Sequence, residues 1–399
     1  MTDRDADDLW AHHNAQWRDS AAVLGHWDGG GALDPAAARM RADAAFWATL
    51  ARLGVTLIVT REYEHLVLAL AAPGGRPRVS WFALPHPSGV TVDRARGVVH
   101  VASTRNPNHV VDLTPATGQL ERADAHDADV SERPLLPVRS RYLPGALYLH
   151  DLAMIGGRLH GNAVGLNAVV RLDPSGRHEP VWWPASVEDA DGRPDASRNH
   201  IQLNSIAAGA GLRSSFFTAS AERPGRRRPG HLDFPVNRRG VIFSGRTREP
   251  VVRGLTRPHS ARLDDGGRLW VGNSGYGELC RIDDGRAEVV ARLPGWTRGL
   301  CLVGGVALVG TSRVIPRFSR YAPGLDIERS VCAVHAVDIT TGERLGSVAW
   351  PSGNQVFAVE WMPTAFSLGF PAVVGDRHAP SRLRALSYRF DRPTKPGER

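Results

Sequence analysis

From Gly54 onward the apolar residues arrive in short runs of Val, Ile, Leu, Phe and Trp, each cut off by Gly, Pro, Asn or Asp, with helical spacing largely absent. Runs of that length between turn residues predict strands. Before Gly54 the pattern differs. LDPAAARMRADAAFWATLARLG carries a capping Asp34, Pro35 in the first turn, strong helix formers and Gly54 as a stop, which predicts one helix of about five turns. The earlier DADDLWAHHNAQWRDSAAVLGHW spaces Leu9, Trp10, His13, Trp17, Ala21 and Leu24 for a single helix face. The chain is therefore expected to divide into a helical extension, residues 1–53, and an all-β region, residues 54–399.

Within the β region one unit recurs: a polar residue, a short strand, a Gly-rich turn, a second strand, and a third strand that ends in another turn. Its copies begin HPSGVTVDRARGVVHVAS at His86, HDLAMIGGRLHGNAVG at His150, LNSIAAGAGLRSSFFTAS at Leu203, HSARLDDGGRLWVGNS at His259, TRGLCLVGGVALVGTS at Thr297 and VFAVEWMP at Val356. Turns such as DLTPATG, RLDPSG, RIDDG and VDITTG close the third strands, with Gly supplying positive φ and Pro or Asp pre-setting the turn. Units of roughly four strands repeated without crossover helices predict a β-propeller. Six copies predict six blades. TLIVTREYEHLVLALA and RVSWFAL, before the first copy, and the C-terminal AVVGD and RLRALSYRF must then close the ring, and counted as a further unit they would make seven.

Composition narrows the function. Hydrophobic residues at 42% and charged residues at 23% fit a soluble globular protein, and no apolar run is long enough for a membrane helix. The start MTDRDADDLW lacks the basic and apolar regions of a secretory signal, so a cytoplasmic location is expected. Cys280, Cys301 and Cys332 are too far apart for a metal knuckle and sit in apolar runs, which predicts buried thiols. The net charge of +8 is carried almost wholly by arginine dispersed along the chain, and no aromatic-basic interleave supports nucleic-acid binding. The one local concentration, RPGRRRPGH at 223–231, reads as a surface loop, with a site for an anionic partner as the alternative. Dinucleotide, P-loop, HExxH and nucleophile-elbow motifs are absent from the sequence.

In a propeller the first strand of each blade lines the axis, so the strand heads converge although they are distant in sequence. The heads offer His86 with Ser88, His150 with Asp151, Asn204 with Ser205, His259 with Ser260, Arg298, and Gln355, with Glu360 deeper. His150, Asp151, His259 and Arg298 are the expected catalytic groups, and Asn204, Ser260, Trp296 and Gln355 the expected substrate contacts. His86, His150, His200 and His259 could instead form the ligand set of a divalent ion such as Zn²⁺, Mn²⁺ or Fe²⁺. Without a metal, imidazoles serve as general acid or base. His160 is expected beneath a first strand, and His109, His178, His231, His335 and His378 at the surface. Two functions follow. One is an enzyme acting at the channel mouth by metal-assisted or acid/base elimination, isomerisation or hydrolysis of a small polar metabolite or modified peptide. The other is a non-catalytic propeller that binds a protein or peptide through its N-terminal helices and the 223–231 loop.

PHSARLDDGGRLWVGNSGYGEL, GWTRGLCLVGGVALVGTSR and LGVTLIVTREYEHLVLAL together resemble an uncharacterised bacterial family of conserved hypothetical six-bladed propeller proteins, over roughly residues 50–370. The resemblance implies the fold and supplies no catalytic residues. More distantly the chain is similar in architecture to the six-bladed group of lactonases, strictosidine-synthase-like enzymes and streptogramin lyases. Its His-rich channel looks closer to the lyases than to the carboxylate and Asn ligand pattern of the lactonases.

Overall fold

The computed structural model describes residues 34–105, 108–116, 130–231 and 233–376. Six antiparallel sheets form the blades of a β-propeller, four of them with four strands and two widened to five by a two-residue edge strand. Counting the blade that joins the two ends of the chain as the first, the inner strands are Ala358–Pro363, Pro87–Asp93, Leu149–Ile155, Leu203–Ala207, Pro258–Leu263 and Trp296–Val303. Each packs on the next and the last packs on the first, so the ring is closed. Closure joins the two ends of the chain. Ala358–Pro363 pairs with Val55–Arg61, and Leu66–Ala71 and Arg78–Ala83 complete that blade with Ala372–Val373 at its edge. The segments flanking the repeats thus share one blade, and the count is six. The expected helix before residue 30, His378 and RLRALSYRF lie outside the described residues.

The predicted five-turn helix is broken. Asp34 Oδ1 caps a single turn, Pro35–Ala38, by accepting from Ala36 N (2.8 Å), and Gly54 ends the later helix Ala44–Leu53 in the left-handed region. Between them Arg41–Ala42 turns extended and pairs with Ala349 and Val348 on the outer strand of the sixth blade. That outer strand offers unpaired backbone groups, and a short extended segment satisfies them where a continuous helix could not. Asp43 accepts from Ser347 N and Oγ (both 2.9 Å) and holds the junction. Phe46, Trp47 and Leu50 then bury against Leu57, Leu308, Val334 and Val348, so this helix seals the seam between the sixth and first blades.

Apolar side chains fill the other seams in the same way, and all three cysteines are buried free thiols. His109 and His335, expected at the surface, are 2% exposed. His335 lies on a third strand, and its Nε2 meets Thr311 Oγ1 at 3.1 Å. At Gly89 the inner strand approaches its neighbour too closely for a side chain. A Cβ on Gly89 would stand 2.6 Å from Asp151 Cα.

Candidate active site at the channel mouth

Four inner strands are entered through a non-glycine residue with left-handed backbone: His86 (φ 43°), Tyr148 (50°), Gln202 (54°) and Arg257 (52°). Such conformations cost energy and persist where the surrounding structure fixes them, commonly at functional sites. They also define a common register. Two residues after each stand Ser88, His150, Asn204 and His259, and one residue further on stand Gly89, Asp151, Ser205 and Ser260. These two adjacent rings of side chains do different work.

The later ring ties neighbouring blades together. Asp151 Oδ2 accepts from Ile206 N (3.0 Å), Ser205 Oγ from Ala261 N (2.9 Å), and Ser260 Oγ from Gly299 N (2.8 Å). Asp151 is further bound by both terminal nitrogens of Arg262, at 2.8 and 3.1 Å. Its carboxylate is therefore a buried structural anchor rather than the expected catalytic group. Ser260 is likewise a blade-to-blade latch rather than a substrate contact, although its Oγ also lies 2.9 Å from His259 Nδ1.

The earlier ring faces the channel. His150 and His259 lie side by side with ring centroids 6.1 Å apart, and both meet the edge of Phe357, at 5.5 and 6.0 Å. The Arg298 guanidinium covers the same Phe357 ring at 3.6 Å, a cation–π contact that fixes it above the histidine pair. Among the described residues, nothing hydrogen-bonds the buried His150 Nδ1 and His259 Nε2. Asn204, by contrast, spends its amide nitrogen on Ser220 Oγ and Pro258 O (3.0 Å each) and offers His150 a hydrogen bond. Ser88 donates to Leu149 O (2.6 Å).

Three arginines surround the pair. In the amide orientation that satisfies both neighbours, Gln355 accepts from Arg298 and donates to Glu62 Oε2 (2.8 Å). Arg105 pairs with Glu62 Oε1 at 3.1 Å. Arg257 stacks on Tyr321 at 4.1 Å and reaches Ser220 Oγ at 3.4 Å. Trp296 stands beside Arg298, its ring 5.9 Å from the guanidinium carbon.

Burial and this positive field set the protonation states. Burial, then Arg298, Arg105 and Arg257, hold the His150 imidazole well below the ordinary histidine range, with a smaller opposing push from the Asn204 hydrogen bond. Burial, then Arg298, His150 and Arg262, do the same to His259. Both rings are neutral near pH 7. Burial lowers Arg298 and Arg257 to about 10, so both stay charged. Glu62 is raised by burial, which outweighs the opposing pull of Arg105 and Arg298. Glu62 thus answers Arg105 and Arg298, while Arg257 acts on His150 from the side of Tyr321.

The expected metal set is not assembled. His86 sits two positions earlier than His150 and His259 in the repeat register, and its ring packs at 4.4 Å on His65. His200 lies on a loop, where its Nε2 meets Asp195 Oδ2 at 2.7 Å. Only His150 and His259 remain together, and among the described residues no group of three or more His, Cys, Asp or Glu side chains could hold a metal ion. A pair of imidazoles ringed by guanidiniums repels a cation, so the residues present do not fit a divalent ion. Glu360 points elsewhere, to Arg94 at 3.2 Å.

Glu62, Arg105, Arg257 and Phe357 belong to the site but were not expected from the strand heads. Arg257 had a signal in the sequence, standing in RPHS as His86 stands in HPSG, one position before a strand that begins with Pro. The other three arrive from the end of a second strand, a loop and the closing blade.

Comparison with solved structures supports the architecture. A chain from a nidogen/laminin complex superposes with a TM-score of 0.51 at 9% identity, over 77% of this chain and 98% of its own. A gluconolactonase from Xanthomonas campestris matches at 0.43 and 16% identity, over 67% and 77% of the two chains. Virginiamycin B lyase from Staphylococcus aureus matches at 0.37 and 15% identity, over 63% and 76%. The first of these, at 9% identity, bears on the fold alone. No curated protein sequence matches. No helix among the described residues is long and apolar enough to cross a membrane. Residues 44–368, nearly the whole propeller, match the family described as Domain of unknown function (DUF4915), and the chain belongs to that family.

Proposed function

We propose that the channel mouth is an active site that binds a small anionic substrate and moves a proton on it, in an elimination or isomerisation. The observation that carries this reading is the pair of buried, neutral imidazoles with ring nitrogens unpartnered among the described residues, enclosed by Arg105, Arg257 and Arg298, two of which also act on Glu62. Guanidiniums recognise carboxylate or phosphate oxygens by paired hydrogen bonds. A neutral imidazole can take a proton from carbon beside such a group, while the second imidazole or Arg298 stabilises the charge that develops on oxygen. Anion binding also prepares the base. The arginine field that holds both histidines neutral is partly cancelled by substrate charge, so their basicity rises when substrate is present. Gln355 aligns Arg298 for this role, and Phe357 and Trp296 supply the apolar walls that keep the site dry.

The test is isotope exchange. Small carboxylates and phosphate esters incubated with the protein in D₂O are followed by proton NMR for loss of the signal beside the acid group. Exchange that disappears in His150→Gln and His259→Gln variants supports the reading. No exchange on any anion that the protein binds would sink it.

A further inference from the structure

A second concentration of arginine adjoins the channel site. The long connection from Phe216–Ala219 to Gly240–Ser244 in the fourth blade, together with the end of the outer strand Pro250–Leu255, encloses an open cavity of about 770 Å³. Arg223, Arg226, Arg227, Arg238, Arg239 and Arg253 line it. Its carboxylates are Glu222 and Asp233. Glu222 is already bound by Arg253 (2.8 and 3.2 Å) and Arg223 (3.3 Å). Arg227 reaches the backbone oxygen of Asp233 at 3.3 Å. Arg226, Arg238 and Arg239 are exposed and have no carboxylate partner among the described residues. Phe234, Pro235 and Val241 give the cavity an apolar side.

Two connections join this cavity to the channel site. Ala221 lines the cavity, and the preceding Ser220 touches both Arg257 and Asn204. Arg238 N donates to Thr256 Oγ1 at 2.9 Å, and Thr256 precedes Arg257. The arginine cavity and the channel site are therefore joined by directly bonded residues.

We propose that the cavity is a second anion subsite for an extended substrate, one that places one anionic group in the channel against Arg298 and Arg257 and a further carboxylate or phosphate against Arg226, Arg238 and Arg239. This rests on the reading of the channel as an anion site. Exposed guanidiniums each hold an anion weakly, because water and salt screen them. Linked to a group already held in the channel, their contribution is multiplied through effective concentration.

Titration calorimetry on the full chain at low salt tests this with three probes: malonate for the channel alone, and hexaglutamate and linear tripolyphosphate as the carboxylate and phosphate forms of an extended anion. The triple variant Arg226→Gln/Arg238→Gln/Arg239→Gln removes cavity charge without touching the channel. The expected result is a loss on the order of a hundredfold for at least one extended anion, with malonate binding unchanged. Which extended anion responds identifies the source of the charge. Arg298→Gln should weaken malonate and the same extended anion together. The single Arg239→Glu change, on an exposed side chain, should give a smaller loss in the same direction. Extended anions bound equally by the wild type and the triple variant would overturn the proposal. An extended anion that responds to the triple variant but not to Arg298→Gln would also overturn it, and malonate indifferent to Arg298→Gln would then identify the channel reading as the part that failed.

Discussion

His150 and His259 stand one residue before the latch residues Asp151 and Ser260 at the heads of the same inner strands, yet the two sets have opposite roles. Asp151, Ser205 and Ser260 accept backbone N–H groups of the next blade and hold the ring closed. His150 and His259, one step earlier, keep ring nitrogens without partners and face the arginines. Side chains on a strand alternate between faces, so a shift of one residue turns an anchor into a candidate reactive group. Polarity at a strand head is therefore not by itself a sign of function. What separates the two histidines from the latch residues is whether backbone has claimed the side chain, as Leu149 O and Pro258 O claim Ser88 and Asn204 beside them.

The difference is sharpest in stability. Asp151→Ala leaves the guanidinium of Arg262, with 14% of its side chain exposed, without its buried partner. Removing one member of a buried pair costs about 3–5 kcal/mol. His150→Gln breaks no latch and should cost far less in the same urea titration. Equal losses would erase the distinction between the rings.

Next in size is the dependence of stability on pH. In the unfolded chain these imidazoles protonate near the ordinary 6.5, whereas in the folded protein burial and the arginines hold them neutral well below it. Below 6.5 the unfolded state therefore binds more protons. Stability is complete above that pH and is lost as pH falls toward the depressed folded values, by up to about 1.4 kcal/mol per pH unit for each histidine. His335, lowered by burial to about 4, adds to the same slope. The double variant His150→Gln/His259→Gln should flatten the acid limb seen by chemical denaturation between pH 6.5 and 5. An unchanged limb would mean the pair is not held neutral.

A smaller effect belongs to the latch serine. Ser260→Ala leaves Gly299 N–H without its acceptor and should cost about 1–3 kcal/mol, the range for an unsatisfied buried group. Arg298→Gln tests the electrostatic link rather than stability. It removes the strongest charge acting on both imidazoles, so NMR titration should show His150 and His259 moving upward toward the ordinary range. No movement of either would detach Arg298 from the pair.

Much of this architecture was legible along the chain. Six copies of a strand-turn-strand unit placed the inner strands correctly, because alternation and turn chemistry are local properties that repeat with the blade. The convergence of His150, His259, Arg298, Asn204 and Gln355 followed from the ring. Other features depended on register finer than the repeat. His86 was aligned with the wrong position because the head residue of its blade is Ser88, and Asp151 and Ser260 could not be told from channel groups without the strand pairing. His200 stood near a strand head in sequence but turns to Asp195 on its own loop. The break in the helix after Ala38 was invisible because its cause, the open edge of the sixth blade, is formed by residues some 300 positions away, at Val348 and Ala349. Glu62 and Arg105 reach the site from segments that carry no copy of the head motif, and Phe357 lies inside the sixth copy but is apolar, so nothing in its type marked it.

The central claim is that two neutral imidazoles wait inside an arginine cage for an anion. NMR titration of isotope-labelled His150 and His259, with and without malonate, tests it most directly. The account predicts that both rings stay neutral to well below pH 6.5 in the free protein and that malonate raises the titration of both. Imidazoles that titrate near 6.5, and that do so regardless of malonate, would contradict it.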